Sequence, residues 1–366
     1  MEAVMDSANV SVPRGLLERF CRRVFETLDL PAEDAEVAAQ VLVAADVRGI
    51  PSHGVARLSR YVHGLKVGLM RADAVPETLY ETPSSLVIHA HGAMGAPVSA
   101  RTMRRVIQKA AANGAAFGCV RDSNHFGIAG YYAMMALADN MIGIAMTNTA
   151  ALGVPTFGRL PMFGTNPLAF ACPADEEGAF VLDMSTTVVT RGKIEVYDRR
   201  GAALPEGWAV DAQGRSGTDA AQILGNLTYQ TGGGILPLGG LGETFGGHKG
   251  YGLSVMVDIL CGVLSGAAFG PAISDTPGSS ARVSHFFGAV RIDGFRDPLE
   301  FRRDMDRMLR SLRMTPTAEG QPRVYVAGEK EREHEAVCNR DGVPVPRDVY
   351  DDLVRIGAAC GVELPG

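Results

Sequence analysis

The chain reads as helix at both ends and as mixed structure in the middle, and this arrangement constrains its fold more than any single motif does. Residues 12–70 are helical in pattern. LLERFCRRVFETL places apolar side chains at 16, 17, 20, 24, 25 and 28, the spacing of one helical face. After Pro31, AEDAEVAAQVLVAADVR repeats the pattern with acids in the first turn, where the helix dipole favours them, and Gly49 supplies a stop. Ser52 is expected to cap a third helix running to about Lys66. From about residue 84 the texture changes. SSLVIHAHG and FGCVRDS read as strands around a helix over 97–113, and MIGIAMTNTA, LAFACPA and AFVLDMS continue the β character. Pro298 to Met314 is a helix whose many basic residues read as a solvated face, and RDVYDDLVRIGAACGVELP is helical again. Helical ends bracketing a mixed middle imply that the two ends pack together, and 366 residues suffice for two lobes.

Charge and composition exclude several classes. A net charge of -6, from 35 basic and 41 acidic residues, is not that of a nucleic-acid binder. The six cysteines lie far apart in apolar stretches with no C-x-x-C spacing, so no metal site is expected and reduced thiols in a cytoplasmic protein are. MEAVMDSAN carries two acids and no basic region, unlike a signal peptide. The longest apolar run, Tyr251 to Gly270, holds Asp258 near its middle and three internal glycines, which favours a buried core helix over a membrane span. No G-x-G-x-x-G follows a strand, so the ordinary Rossmann fingerprint is missing. Phosphate-loop, nucleophile-elbow and zinc-helix motifs are missing too.

Three sets of residues carry chemistry. In DVRGIPSHGVARLSRYV, a helix capped by Ser52 would put His53 and Arg57 one turn apart. A guanidinium grips a carboxylate with two parallel hydrogen bonds, and a nearby imidazole can exchange a proton with the neighbouring oxygen. In RDSNHFGIAGYY, His125 falls between a strand and a helix, with Gly127 and Gly130 allowing close backbone approach. The polar turns TNTA, FGTNP, LDMSTT and GGHKGYG form the third set, in which Lys249 is little shielded and suits a phosphate.

Taken in order, SHGVARL, SNHFGIAGYY, FGTNP, LDMST with RGK, GWAVD, LPLGG, HKGYGL and AGEKE resemble the malate/L-lactate dehydrogenase-like family over roughly residues 12 to 360. The resemblance implies an α/β (α+β) fold with a non-Rossmann cofactor domain built on a mixed, largely antiparallel sheet. It also implies a helical domain made from both chain ends, residues 1–80 with 330–366, around a cofactor domain at 81–329. It implies NAD or NADP as cofactor, a small carboxylate substrate, no nucleic-acid or membrane partner, and an intertwined homodimer. His53 and His125 match the family's proton donor or acceptor positions, and Arg57 the carboxylate position. Thr149, Asp183, Met184, Ser185, His248, Lys249, Gly328 and Glu329 match its dinucleotide stretches, although Ala327 stands where the family has proline. The implied activity is hydride transfer between nicotinamide and a 2-hydroxy or 2-oxo acid. The rival readings are a cyclic imino acid reductase and a non-catalytic ligand-binding homologue.

Overall fold

A computed structural model describes residues 9–273 and 281–364. The signal-peptide reading of MEAVMDSAN, apart from Asn9, and residues 274–280 of the polar segment 271–284 lie outside the described residues. The chain opens with β1 (Asn9–Val12), α1 (Arg14–Glu26), α2 (Ala32–Val47) and α3 (Leu58–Lys66). Then come β2 (Glu77–Glu81), β3 (Ser85–His89), α4 (Gly95–Asn113), β4 (Ala115–Ser123), α5 (Ala129–Met135), β5 (Met141–Thr147), β6 (Leu168–Cys172) and β7 (Phe180–Met184). A peripheral part follows: α6 (Arg191–Arg199), β8 (Ala209–Val210), α7 (Ala220–Tyr229) and β9 (Gly234–Ile235). The last elements are α8 (Gly247–Asp258), β10 (Val283–Arg291), α9 (Pro298–Arg313), α10 (Glu329–Asp341), β11 (Val343–Pro346) and α11 (Arg347–Cys360).

The main sheet has seven strands in the order β2-β3-β4-β10-β5-β6-β7. Among the described residues only β3 and β4 of this sheet run parallel, joined through α4, so the expected mixed and largely antiparallel sheet is present. Its centre is β10, which the periodicity reading passes over. β1 pairs antiparallel with β11, from Asn9 opposite Pro346 to Val12 opposite Val343, and joins the two ends of the chain.

The alanine-rich α2 is buried on nearly every side because it separates two cores. Val37 and Val41 pack with α4, α5 and the sheet, while Ala38, Leu42 and Val43 pack with α1, β11 and α11. A helix held by two cores has a well-fixed end. That end delivers Arg48, Ile50 and the His53 turn to the site.

Three sequence expectations change. Ser52 does not cap a helix. Pro51–His53 and Val55–Arg57 are separate 3-10 turns with an extended Gly54 between them, and α3 begins only at Leu58. The run after Tyr251 is not a fully buried helix. α8 continues as a π-helical turn, Ile259–Val263, and Met256, Ile259, Val263 and Leu264 along this run are exposed. The basic residues of α9 are not simply solvated, since Arg310 and Arg313 pair with Glu176 and Glu177 of a facing loop.

Candidate active site

The His53 turn is built around a buried acid. α2 stops at Gly49, with φ +74°, and the Ile50 N–H closes back on the Ala45 carbonyl at 2.8 Å. Asp46, in the last turn of α2, then accepts the Val55 N–H at 2.7 Å. The carboxylate fills the space a side chain at position 54 would need. A Cβ on Gly54 would sit 2.0 Å from Asp46 Oδ1. Burial raises the Asp46 carboxyl to about 7, against the pull of the Val55 N–H. Beyond the turn, Ser52 Oγ lies 2.9 Å from His53 Nδ1, and Arg57 Nε donates to the Ser52 carbonyl at 2.7 Å.

His125 comes from the turn between β4 and α5. β4 ends at Ser123, and the Asn124 amide anchors the following turn by donating to the carbonyls of Gly92 at 2.9 Å and Ala93 at 3.1 Å. Gly127, at φ +84°, turns the chain into α5. The His125 ring then stacks on His53 with centroids 5.4 Å apart, and its Nδ1 lies 2.6 Å from the hydroxyl of buried Tyr61 on α3. Burial first, and then the Arg57 charge, lowers His53 to about 4. Burial, then His53, Arg60 and Arg57, carries His125 well below the usual histidine range. Both imidazoles are therefore neutral near pH 7.

A cleft of about 250 Å³ is lined among others by Arg48, Ile50, Gly130, Asp183, Gly328 and Lys330; it meets the histidine segments at Ile50 and Gly130, and neither imidazole nor Arg57 lines it. Asp183, near the end of β7, accepts the Gly130 N–H at 2.7 Å, and burial raises it to about 6 against that bond and the Arg48 charge. Gly328, at φ +86°, starts α10, and a Cβ there would press on Val181 at 2.8 Å. Glu329 faces away from the cleft. Its carboxylate accepts the Val326 N–H at 3.0 Å and pairs with Arg313 and Arg323, so it builds the turn. Burial would raise this carboxyl, but those partners outweigh burial and hold it low.

Strand β7 ends at Met184, and the chain runs on through Ser185 toward the remaining expected cofactor residues. Thr149 Oγ1 accepts the Thr165 N–H at 3.0 Å, and Asn166 accepts the Thr149 N–H at 3.2 Å. Asn166 donates to the Ser254 carbonyl at 2.9 Å, and Ser254 Oγ meets Thr186 Oγ1 at 2.8 Å. These bonds tie the 149 and 185 turns to α8, which carries His248 and Lys249 exposed in its first turn. Tyr61, Arg48 and the buried His285 are site-forming residues that the sequence reading missed. Tyr61 had a signal, four residues beyond Arg57; the other two had none that spacing reveals.

The cleft brings Gly130 and Gly328 together with Arg48, Lys330, Asp183 and Glu331, and the neutral imidazoles nearby suit proton exchange with a substrate. The sheet lacks the Rossmann order, so the class of the protein is read from its relatives. The protein-family profile described as malate/L-lactate dehydrogenase matches residues 12–354. The chain is 40% identical to a malate dehydrogenase of Pyrococcus horikoshii over 98% of both chains. It is 35% identical to a malate/(S)-sulfolactate dehydrogenase of Methanothermus fervidus over 93% of this chain and 96% of that one. The solved malate dehydrogenase of Entamoeba histolytica superposes with a TM-score of 0.93 at 33% identity, covering 98% of this chain and 100% of that one. This chain belongs to the malate/L-lactate dehydrogenase family, and it is an enzyme of the dehydrogenase class.

Proposed function

We propose that this protein interconverts a small 2-hydroxy acid and its 2-oxo acid, with malate or a close analogue as the substrate and His53, His125 and Arg57 as the groups that handle it. The observation that carries this reading is the buried His125 held between the Tyr61 hydroxyl and the stacked His53 ring, within one turn of Arg57. When bound, the nicotinamide cofactor supplies the hydride acceptor or donor. Arg57 holds the substrate carboxylate. His125, its ring fixed by Tyr61, takes the hydroxyl proton during oxidation and returns it during reduction. His53 stacks behind it and, with Ser52, lies close enough to relay that proton. A bound carboxylate offsets the Arg57 charge and so eases protonation of the imidazoles, as the reverse reaction needs. Thr149, Asp183, Met184, Ser185, His248, Lys249, Gly328 and Glu329 shape the NAD or NADP site. Of these, Lys249, together with Arg48, faces the phosphates, while Glu329 acts through its turn.

The helical part, residues 1–80 with 330–366, and the α/β part, 81–329, are proposed as the two domains that meet at the site. The exposed apolar stripe of α8 supports a homodimer, and five buried free cysteines suit a reducing cytoplasm. The test is a substrate panel of malate, lactate, sulfolactate, ureidoglycolate and a cyclic imino acid, each with NAD and with NADP, followed by nicotinamide absorbance. Turnover of a hydroxy acid is expected. Reduction of the imino acid with no hydroxy-acid turnover would move the protein to the imino-reductase reading. Absence of nicotinamide binding by calorimetry would make it a non-catalytic relative.

A further inference from the structure

His285 is a histidine where packing alone asks only for an apolar side chain. It lies in β10, fully buried, with its ring flat against Phe126 at 4.4 Å between centroids and 7° between planes, and near Phe287 at 6.2 Å. Both ring nitrogens are nonetheless engaged: Nδ1 lies 2.8 Å from Thr147 Oγ1, and Nε2 lies 3.0 Å from Ser123 Oγ. Those two hydroxyls sit at matching places in the fold. Ser123 is the last residue of β4 and leads into Asn124–His125, while Thr147 is the last residue of β5 and leads into Asn148–Thr149. The β10 backbone is shaped to make the bridge. Its register against β4 shifts between Val283 and His285, and Ser284 in that bulge is locked to Asn148 by the Ser284 N–H to Asn148 Oδ1 at 2.8 Å and the Asn148 N–H to the Ser284 carbonyl at 3.1 Å.

We propose that His285 is a positioning residue that fixes the proton-transfer loop of His125 against the cofactor loop of Thr149. This inference rests on the proposed dehydrogenase reading. One neutral imidazole, bonded to a hydroxyl at the root of each loop and stacked under Phe126, sets the separation of the two reacting partners. Burial lowers the ring to about 3, against a pull from the Asn124 backbone, so the bridge stays neutral wherever His125 works. A change of about 1 Å in such a separation can cost on the order of 100-fold in rate.

The test uses His285→Phe, which keeps the ring stack and removes both hydrogen bonds, alongside Ser123→Ala and Thr147→Val, which each remove one. The expected result is a kcat about 10- to 100-fold lower in His285→Phe, with cofactor affinity and substrate KM changed several-fold less. A larger primary isotope effect from C4-deuterated reduced nicotinamide should accompany it, because hydride transfer becomes limiting. The single hydroxyl variants should show the same pattern more weakly, and they carry the test if His285→Phe does not fold. Wild-type kcat and isotope effect in all folded variants would overturn the proposal. A crystal structure of His285→Phe, or of the hydroxyl variants if it does not fold, gives a reading independent of turnover. There the His125 and Thr149 loops should move apart, and an unmoved His125 still stacked at its present distance from His53 would also overturn it. Failure of the wild-type protein to turn over any hydroxy acid would instead count against the dehydrogenase reading, and the crystallographic arm would still decide the role of His285.

Discussion

An exposed imidazole with a pKa near 6.5 is still about a quarter protonated at pH 7. Burial at His53, which lowers it to about 4, removes that fraction and leaves the base form in place throughout the neutral range. For hydroxy-acid oxidation, kcat/KM should therefore stay flat as the pH falls to roughly 5 instead of bending near 6.5. A bend at the ordinary histidine value would show that the buried pair is not the base. His125→Ala and His53→Ala should each depress kcat by roughly 10²–10⁴-fold, whereas Arg57→Ala should first raise the substrate KM. Unchanged steady-state constants in these three variants would remove the assignment. Asp46 acts on stability in the opposite direction to the histidines. Its folded pKa of about 7 lies above the unfolded 3.8, so its stabilising proton is fully bound below 3.8 and is lost as the pH rises through 7. Asp46→Asn keeps an acceptor for the Val55 N–H and cannot ionise. Its urea stability relative to wild type should climb between about pH 4 and about pH 8, by up to about 4 kcal/mol. A constant difference across that range would refute the buried-acid account.

The element that shapes the cleft rim from outside is α9. Its Asp306 is almost fully buried and accepts the N–H groups of Asp175 at 3.0 Å, Glu176 at 2.9 Å and Glu177 at 3.2 Å. Burial would raise this carboxyl, yet the three donors hold it low. The loop it orders carries Glu177, which pairs with Arg313, and Arg313 reaches Glu329 beside Gly328. Asp306→Ala should cost about 2–3 kcal/mol in urea unfolding and weaken nicotinamide binding through the turn at 328. Loss of stability with unchanged cofactor affinity would separate α9 from the site. None of this chain of contacts was legible in the sequence, where the arginines of α9 read as a solvated face. Helical periodicity located α1, α2, α4 and α11 within a few residues, because each presents one or two apolar faces to a core. The Ser52 cap did not survive, because a competing acceptor was invisible: Asp46 takes the Val55 N–H and splits the helix start into two short turns. β10 escaped because a central strand buried on both faces has no alternation, and His285 escaped with it. The candidate histidines and Lys249 were proposed from the order of motifs, a signal that does not depend on strand order.

At the scale of the whole molecule the unexplained feature is apolar surface. Gly252, Met256, Ile259 and Val263 recur at four-, three- and four-residue intervals on one face of α8 and its π-helical extension, and all are exposed, with Leu264 beside them. Leu238, Leu241 and Phe245 are exposed in the segment that leads into the same helix. Apolar residues around the full circumference of a helix imply a partner for the face the chain itself leaves open. In a two-fold pairing each copy would bury Met256, Ile259, Val263 and Leu264. With each about half exposed, roughly 1 kcal/mol per side chain gives on the order of 8 kcal/mol over both copies. That lies within the 4–15 kcal/mol range estimated for the freedom lost on association, so the flanking leucines and Phe245 must contribute for a dimer to persist. A balance this close responds to one buried charge. Sedimentation of the wild-type protein at micromolar concentration should show a dimer, and Ile259→Glu should shift it to monomer with its circular dichroism unchanged. Because α8 begins with His248 and Lys249, the monomer should also bind nicotinamide dinucleotide several-fold more weakly. A wild-type monomer with full activity would leave the stripe without a partner of its own kind and remove the support for a homodimer.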